Sequence, residues 1–233
     1  MGCEASEIEF LHEIGTRIGS EALHEVLDRV VDFVTCVVKC DSCLIYSLEE
    51  NELVLRASKN PHPEVVDRLK LQVGQGITGW VAEHREAVAV SKSAGDDPRF
   101  KFFNELPEDR FEAFLSVPIL CRDRVVGVIN VQHRLPHKYT ARQIRLITTI
   151  GFLVGSEIEL ARLESANLHL SEELETRKLV ERAKGILQRN LNLTEEDAYL
   201  TLQRQSRQRR KPMKEIAEAI LLADELKAAP ESA

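Results

Sequence analysis

From Thr140 onward the sequence stops reading as β-strand and stays helical for about 40 residues, with no proline and no cluster of turn formers. Thr140 supplies the cap, and nothing before the end of that stretch supplies a stop signal. A helix of this length divides the chain into two parts with different grammar. At 233 residues the chain is long enough for one large domain or two small ones. With 43% hydrophobic and 30% charged residues it can bury a core and does not read as a disordered tail.

The part before Thr140 is mixed α/β. Glu7 to Ile18 places Leu11, Ile14 and Ile18 on one helical stripe. From Glu21 to Val38, apolar residues from Leu23 to Val38 recur at three- and four-residue spacing. The rhythm then changes to short β-rich runs at 42–47, 52–57, 69–73, 87–90, 115–121 and 125–132. Glu49-Glu50-Asn51 closes a hairpin between the first two runs, and Arg122-Asp123-Arg124 makes a tight polar turn between the last two. Helices at both ends of a run of adjacent strands predict an α+β sheet with helices on one face.

The long helix carries two patterns. Before Leu160 it reads as an amphipathic helix packed on its own domain. Beyond that point Leu160, Leu163, Leu170 and Leu174 keep the 3-4 spacing of a coiled-coil seam, with Asn167 at an a position. A buried amide there costs stability but sets register and favours two parallel strands, so these five residues predict a parallel homodimer.

After Leu174 come three helical segments. The first runs to about Asn190. The second starts after Thr194, with Glu195, Glu196 and Asp197 in its first turn against the helix dipole. The third starts at Pro212. From Leu174 to Lys227 there are 12 Lys/Arg against 9 Asp/Glu, whereas the whole chain has a formal charge of −7. Arg204, Arg207, Arg209, Arg210, Lys211 and Lys214 follow Gln203 with no acid among them. An acidic chain that concentrates its base in one helical module has an electrostatic footprint for phosphate. Nothing near these cations in the sequence pairs with them, so a merely solvated face explains them poorly. Within the first segment Leu179, Ala183, Ile186 and Leu187 form the buried stripe, and Lys184 and Gln188 are expected opposite it. Gly185 lies inside a helix, where glycine costs about 1 kcal/mol relative to alanine. It serves either close helix packing or approach of a ligand to the backbone. Tyr199 offers a ring for stacking an unpaired base, or sits half-buried in a core.

These residues carry a resemblance. Arg182-Ala-Lys-Gly-Ile-Leu187, Leu193-Thr-Glu-Glu-Asp-Ala-Tyr199, Leu202-Gln-Arg-Gln-Ser206 and Met213-Lys-Glu-Ile-Ala217 resemble the ANTAR domain of transcription antitermination regulators, over about 55 residues. The resemblance implies a bacterial RNA-binding module that works as a dimer. It would bind paired stem–loops of a nascent leader transcript, one loop per module, and keep a terminator from forming. The implied RNA contacts are Lys184, Gly185, Gln188, Arg189, Tyr199, Gln203, Arg204 and Arg207, with Arg209, Arg210 and Lys211 on phosphates. Gln203 departs from the arginine that many members carry, and Arg204 is next to it. The first half, roughly residues 6–160, resembles a GAF domain through Val73-Gly-Gln-Gly-Ile-Thr-Gly-Trp-Val81, Asp97-Pro-Arg-Phe100, Ser116-Val-Pro-Ile119 and Val125-Val-Gly-Val-Ile-Asn130. That implies a sensor fold with a GAF-type antiparallel sheet, responding to a small-molecule or redox signal that the motifs do not name. The expected division is a sensor at 6–145, a helical linker at 140–174 and the three-helix module at 174–228.

Other chemistry is weakly represented. Gly74 and Gly76 suit a turn feeding a helix at Ile77, and no Lys-Ser/Thr pair follows them as in a phosphate loop. Cys36, Cys40 and Cys43 have the spacing of a three-thiolate motif but lack an adjacent fourth ligand, so they read as packing cysteines. No cofactor is indicated, and no catalytic or metal constellation stands out. The uncharged run from Leu146 to Ser156 has eleven residues and is too short to span a membrane. Met1-Gly2-Cys3-Glu4-Ala5-Ser6 fits an acylation pattern by chance. With no apolar leader, five cysteines predict reduced thiols in a cytoplasm. The expectation is a dimeric cytoplasmic antiterminator and not an enzyme. The rivals are a GAF-type thiol enzyme, such as a methionine sulfoxide reductase, and a protein-interaction adaptor.

Overall fold

The computed structural model describes residues 3–17, 22–59, 65–100 and 111–228, and it divides into two compact units, Met1–Arg162 and Leu163–Ala233. Met1 and Gly2 of the acylation match, together with Ile18 and Glu21, lie outside the described residues.

The first unit is built from α1 (Cys3–Arg17), α2 (Leu23–Val38), β1 (Ser42–Glu49), β2 (Glu52–Ser58), β3 (Lys70–Gln72), α3 (Gly76–His84), β4 (Val88–Val90), β5 (Ala113–Cys121), β6 (Arg124–His133) and the start of α4 (Ala141–Leu191). Its six strands lie in the order β3-β2-β1-β6-β5-β4, with every neighbouring pair antiparallel. The two expected hairpins are present. Arg122 and Asp123 both take positive φ in the second turn, where the primed geometry follows the twist of the strands.

The expectation of helices on one face only is corrected by the packing. Cys43 and Ile45 of β1, Leu115, Val117 and Ile119 of β5, and Ile129 and Val131 of β6 pack with α2 and α4. The alternate residues Leu44, Tyr46, Phe114 and Val128 pack on the other face with Ile77 and Val81 of α3. A sheet buried on both sides needs apolar residues at successive positions, which erases the alternation that would reveal a second face. Helix α3 is also tied down by polar groups. Ser116 Oγ donates to Asn130 Oδ1 at 2.7 Å, and Asn130 Nδ2 donates to Thr78 Oγ1 at 2.8 Å, all buried.

The turn before α3 is the one expected. Gly74 and Gly76 take φ of 82° and 68°. Its amides are used internally: Gly74 N–H donates to the Gly79 carbonyl at 2.9 Å and Gln75 N–H to the Gln72 carbonyl at 3.0 Å. These two amides are therefore not available to cradle a phosphate.

Helix α4 approaches β5 closely through small residues. A Cβ on Gly155 would lie 2.4 Å from the Leu120 carbonyl oxygen, and one on Gly151 would lie 3.4 Å from the Pro118 carbonyl oxygen. Ile147, Ile150, Val154 and Ile158 bury the same side of the helix, as expected for the stretch before Leu160. Gly155→Ala should therefore destabilise the first unit by about 1–3 kcal/mol, as overpacking does. Urea unfolding followed by circular dichroism measures the loss.

A second cluster lies where β6 meets the start of α4. Tyr139 hydroxyl donates to the Val131 carbonyl at 3.0 Å, so the His133 Nδ1 that lies 3.0 Å from the same hydroxyl is its donor. His133 Nε2 is then an acceptor, and it is buried without a partner. The His137 ring stacks on His133 with centroids 3.9 Å apart. Burial, with His137 alongside, lowers the His133 pKa from 6.5, and Asp41 opposes this more weakly. The unfolded chain accordingly binds a proton that the native chain refuses, and stability falls as the pH drops below about 6.5 towards the lowered native value. The contribution is at most about 1.4 kcal/mol per pH unit. Urea midpoints measured between neutral and mildly acidic pH should fall in the native protein and fall less steeply in His133→Gln.

Candidate nucleic-acid interface

The second unit is the C-terminal part of α4 with α5 (Glu195–Arg209) and α6 (Met213–Ala228). The expected first helix of the module is not separate, because α4 runs unbroken for 51 residues through Leu174 to Leu191. Val180, Ala183, Leu202, Ile216 and Ala217 form the core of the unit, with Leu179 and Leu187 against them. Thr194 caps α5 by accepting the Asp197 N–H at 3.1 Å, and three acids stand in the first turn. Pro212 lies just ahead of α6, and its carbonyl accepts from Ile216 N–H at 3.4 Å.

Lys184 is not where the helical pattern placed it. Its side chain is only 9% exposed, and its Nζ lies 2.8 Å from Glu195 and 3.0 Å from Glu181. Those two carboxylates, Glu195 first, raise its pKa, and the same contact lowers that of Glu195. A stripe judged from one helix could not show that the first turn of α5 brings a carboxylate over this position. Lys184 joins α4 to α5.

Gly185 has a clear answer. A Cβ there would meet no atom within 4 Å, so close packing does not explain it. It lies in an open groove of about 720 Å³ between α4 and α6, whose lining includes Arg182, Gln188, Arg189, Leu221, Asp224 and Glu225. The structure thus brings Gly185, Gln188 and Arg189 together. Arg189 reaches Asp224 at 3.4 Å, and Asn190 Nδ2 donates to Asp224 at 2.9 Å. Arg182 and the acids of α6 were not among the expected contacts. Arg182 could have been found one turn before Gly185 on the same face, but the α6 wall needed the tertiary fold.

On α5, Ala198 and Leu202 face the core. Tyr199 and Arg207 lie four residues either side of Gln203, and Tyr199 is 43% exposed, outside the core. Arg204 is exposed on another side of the helix. The expectation that the cations after Gln203 lack partners holds for some and fails for others. Lys211 pairs with Glu215 at 2.8 Å and Lys214 with Glu175 at 3.2 Å. Arg209 Nε donates to Gln205 Oε1 at 3.2 Å. The side chains of Arg204, Arg207 and Arg210 have no hydrogen bond or ion pair among the described residues. Arg210 ends α5 in the left-handed region at φ 52°, while Lys211 N–H bonds to the Ser206 carbonyl at 3.1 Å. The residues expected in the seam, Leu160, Leu163, Asn167, Leu170 and Leu174, are exposed in the single chain.

Two of the three clustered cysteines behave as packing residues, and Cys36 does not. Cys40 and Cys43 are buried, and desolvation pushes the Cys40 thiol up to about 11 and the Cys43 thiol well above its ordinary value. Cys36 is exposed on α2. Among the described residues no group of three His, Cys, Asp or Glu could hold a metal ion. No helix among them is long and apolar enough to cross a membrane.

Two substitutions separate shape from charge. Gly185→Ala should raise stability by about 1 kcal/mol, since helix propensity improves with no clash. Arg210→Gly should raise it by about 1–2 kcal/mol by relieving the left-handed backbone. Thermal unfolding of both variants checks these gains.

The comparisons agree with this division. A GAF domain model matches residues 20–159 and an ANTAR domain model matches residues 168–221. The transcriptional regulatory protein PdtaR of Mycobacterium tuberculosis is 49% identical over 76 residues, which cover 33% of this chain and 37% of PdtaR. The phosphoenolpyruvate-dependent phosphotransferase system protein of Escherichia coli K12 is 26% identical over 159 residues, covering 66% of this chain and 21% of that protein. The chain therefore spans well under half the length of either relative. The crystal structure of the GAF domain from an Acinetobacter phosphoenolpyruvate-protein phosphotransferase superposes with a TM-score of 0.62 at 28% identity, over 70% of this chain and 97% of that one. The chain belongs to the GAF domain family and carries a C-terminal ANTAR domain.

Proposed function

We propose that the chain is a signal-responsive RNA-binding antiterminator and not an enzyme. In this reading a cytoplasmic parallel homodimer, joined along Leu160, Leu163, Asn167, Leu170 and Leu174, binds a dual stem–loop in nascent leader mRNA and prevents a terminator from forming. The observation that carries it is the outer face of α5. Tyr199, Gln203 and Arg207 stand in a row there, with the side chains of Arg204, Arg207 and Arg210 unpaired among the described residues. Sequence-specific RNA readers combine cations for phosphate with rings and amides for unpaired bases, because the A-form major groove is too narrow to read. A signal at the GAF domain would act by setting whether two modules can engage two loops at once, which is a change of effective concentration. PdtaR is itself named a transcriptional regulatory protein, and its likeness falls in the ANTAR region.

The test is binding to a two-stem–loop RNA across a salt series, with loop-scrambled RNA and DNA as controls. Loop-dependent binding is expected. Arg207→Gln and Arg210→Gln should each weaken binding to all RNAs and reduce the salt slope by about one. Tyr199→Ala should erode discrimination between loops. Leu163→Glu should give a monomer by sedimentation and remove the advantage of two stem–loops over one. Equal binding to scrambled RNA and DNA would overturn the reading.

A further inference from the structure

The 3-4 spacing of Leu160, Leu163, Asn167, Leu170 and Leu174 brings Arg177 to the next d position, with Glu181 and Lys184 at the a and d positions after it. Helix α4 runs through all of them without a break, so the apolar seam ends by a change of side chain and not of backbone. Past Leu174 the apolar residues move round the helix. Leu179, Val180, Ala183 and Leu187 pack into the core of their own module, while Lys184 is tied to Glu181 and Glu195 in the same chain. Arg177 is exposed and makes no hydrogen bond or ion pair among the described residues.

In the parallel pairing proposed above, the two stalks therefore part at Arg177, where two guanidiniums face one another across the two-fold axis. The acids nearby are engaged elsewhere. Glu175 meets Lys214 at 3.2 Å, and Glu181 meets Lys184 at 3.0 Å. Glu173 meets His169 at 3.4 Å within the chain, and its g position puts it opposite the e-position Lys178 of the second copy. Leucine at 177 would have lengthened the seam, whereas arginine leaves a like-charged pair that an anion can neutralise. Planar guanidinium forks bind phosphate oxygens bidentately, and two of them on opposite sides suit the two free oxygens of one phosphodiester. Resting on the dual stem–loop reading, we propose that this branch point binds the single-stranded RNA joining the two stem–loops, with the two copies of Arg177 clamping one linker phosphate. The site touches backbone only and carries no base information. It fixes the path of the linker between the modules and so raises the effective concentration of the second loop.

The test uses the full chain and two-stem–loop RNAs whose linkers carry either ordinary phosphodiesters or uncharged methylphosphonates, with a single stem–loop as control, across a salt series. The uncharged linker should weaken binding about tenfold, as loss of a charge-assisted contact does, and reduce the salt slope by about 0.7. Arg177→Gln should show the same losses on the ordinary linker and no further loss on the uncharged one. It should bind the single stem–loop as the native chain does. By sedimentation without RNA it should be at least as dimeric as the native chain, because a like-charged pair has been removed. Equal affinity for the two linkers, with two stem–loops still bound better than one, would overturn the branch-point site and leave the dual stem–loop reading standing. Equal loss by Arg177→Gln on single and double stem–loops would also overturn it, by placing Arg177 among the contacts of one module. No advantage of two stem–loops over one in the native chain would remove the site and the dual stem–loop reading together.

Discussion

The contact between α4 and β5 is the constraint on which the first unit depends. Gly155 faces the Leu120 carbonyl more closely than any side chain would allow, and Gly151 faces that of Pro118 at ordinary contact distance. Ile147, Ile150, Val154 and Ile158 then bury against the sheet beside those glycines. Once that face is committed, Phe152, Leu160 and Leu163 are left exposed in the single chain. The same helix continues without a break into the core of the second unit at Val180 and Ala183.

Each unit handles buried polar groups in its own way. In the first, Ser116, Asn130 and Thr78 satisfy one another across the sheet and hold α3 against it. Among the described residues His133 is one of several exceptions, with Nε2 buried and unpartnered beside His137, whose own Nε2 is unpartnered too. Unsatisfied buried nitrogens are costly, and this one stands close to where the sheet hands over to α4. In the second unit the cations fall into two sets. Lys184, Lys211 and Lys214 are engaged by Glu195, Glu215 and Glu175, and they join helices or close turns. Arg182, Arg204, Arg207 and Arg210 are left over. Arg177 and Lys178 are likewise without a partner among the described residues, so the left-over set is mainly arginine, whose planar fork suits phosphate and base edges better than an ammonium does.

Local pattern was enough for much of this. The two hairpins, the α2 stripe from Val26 to Val38, the Thr194 cap and the long helix from Thr140 are all recorded in short-range spacing, and short-range spacing determines local backbone. Both domain resemblances rest on runs of consecutive residues and agree with the matched family models. Where helix periodicity was used to assign a side chain's surroundings it was less secure. Lys184 was placed opposite a stripe, yet α5 folds a carboxylate over it. Lys211 was expected to be unpaired, yet it meets Glu215 one turn into α6.

The remaining features depend on residues far apart in the chain. The second buried face of the sheet leaves no alternation to read, because both sides of β1, β5 and β6 are apolar. The histidine pair and its tyrosine require β6 to end beside the start of α4. The groove over Gly185 requires Leu221 and Glu225 to arrive from α6, some 36 to 40 residues later in the sequence. Element type, order and charge segregation were thus set by neighbours along the chain, where dihedral preference and amphipathic period act. Which cations are spent inside the fold and which face solvent was settled by packing, because pairing depends on distance in space and a linear sequence does not contain it.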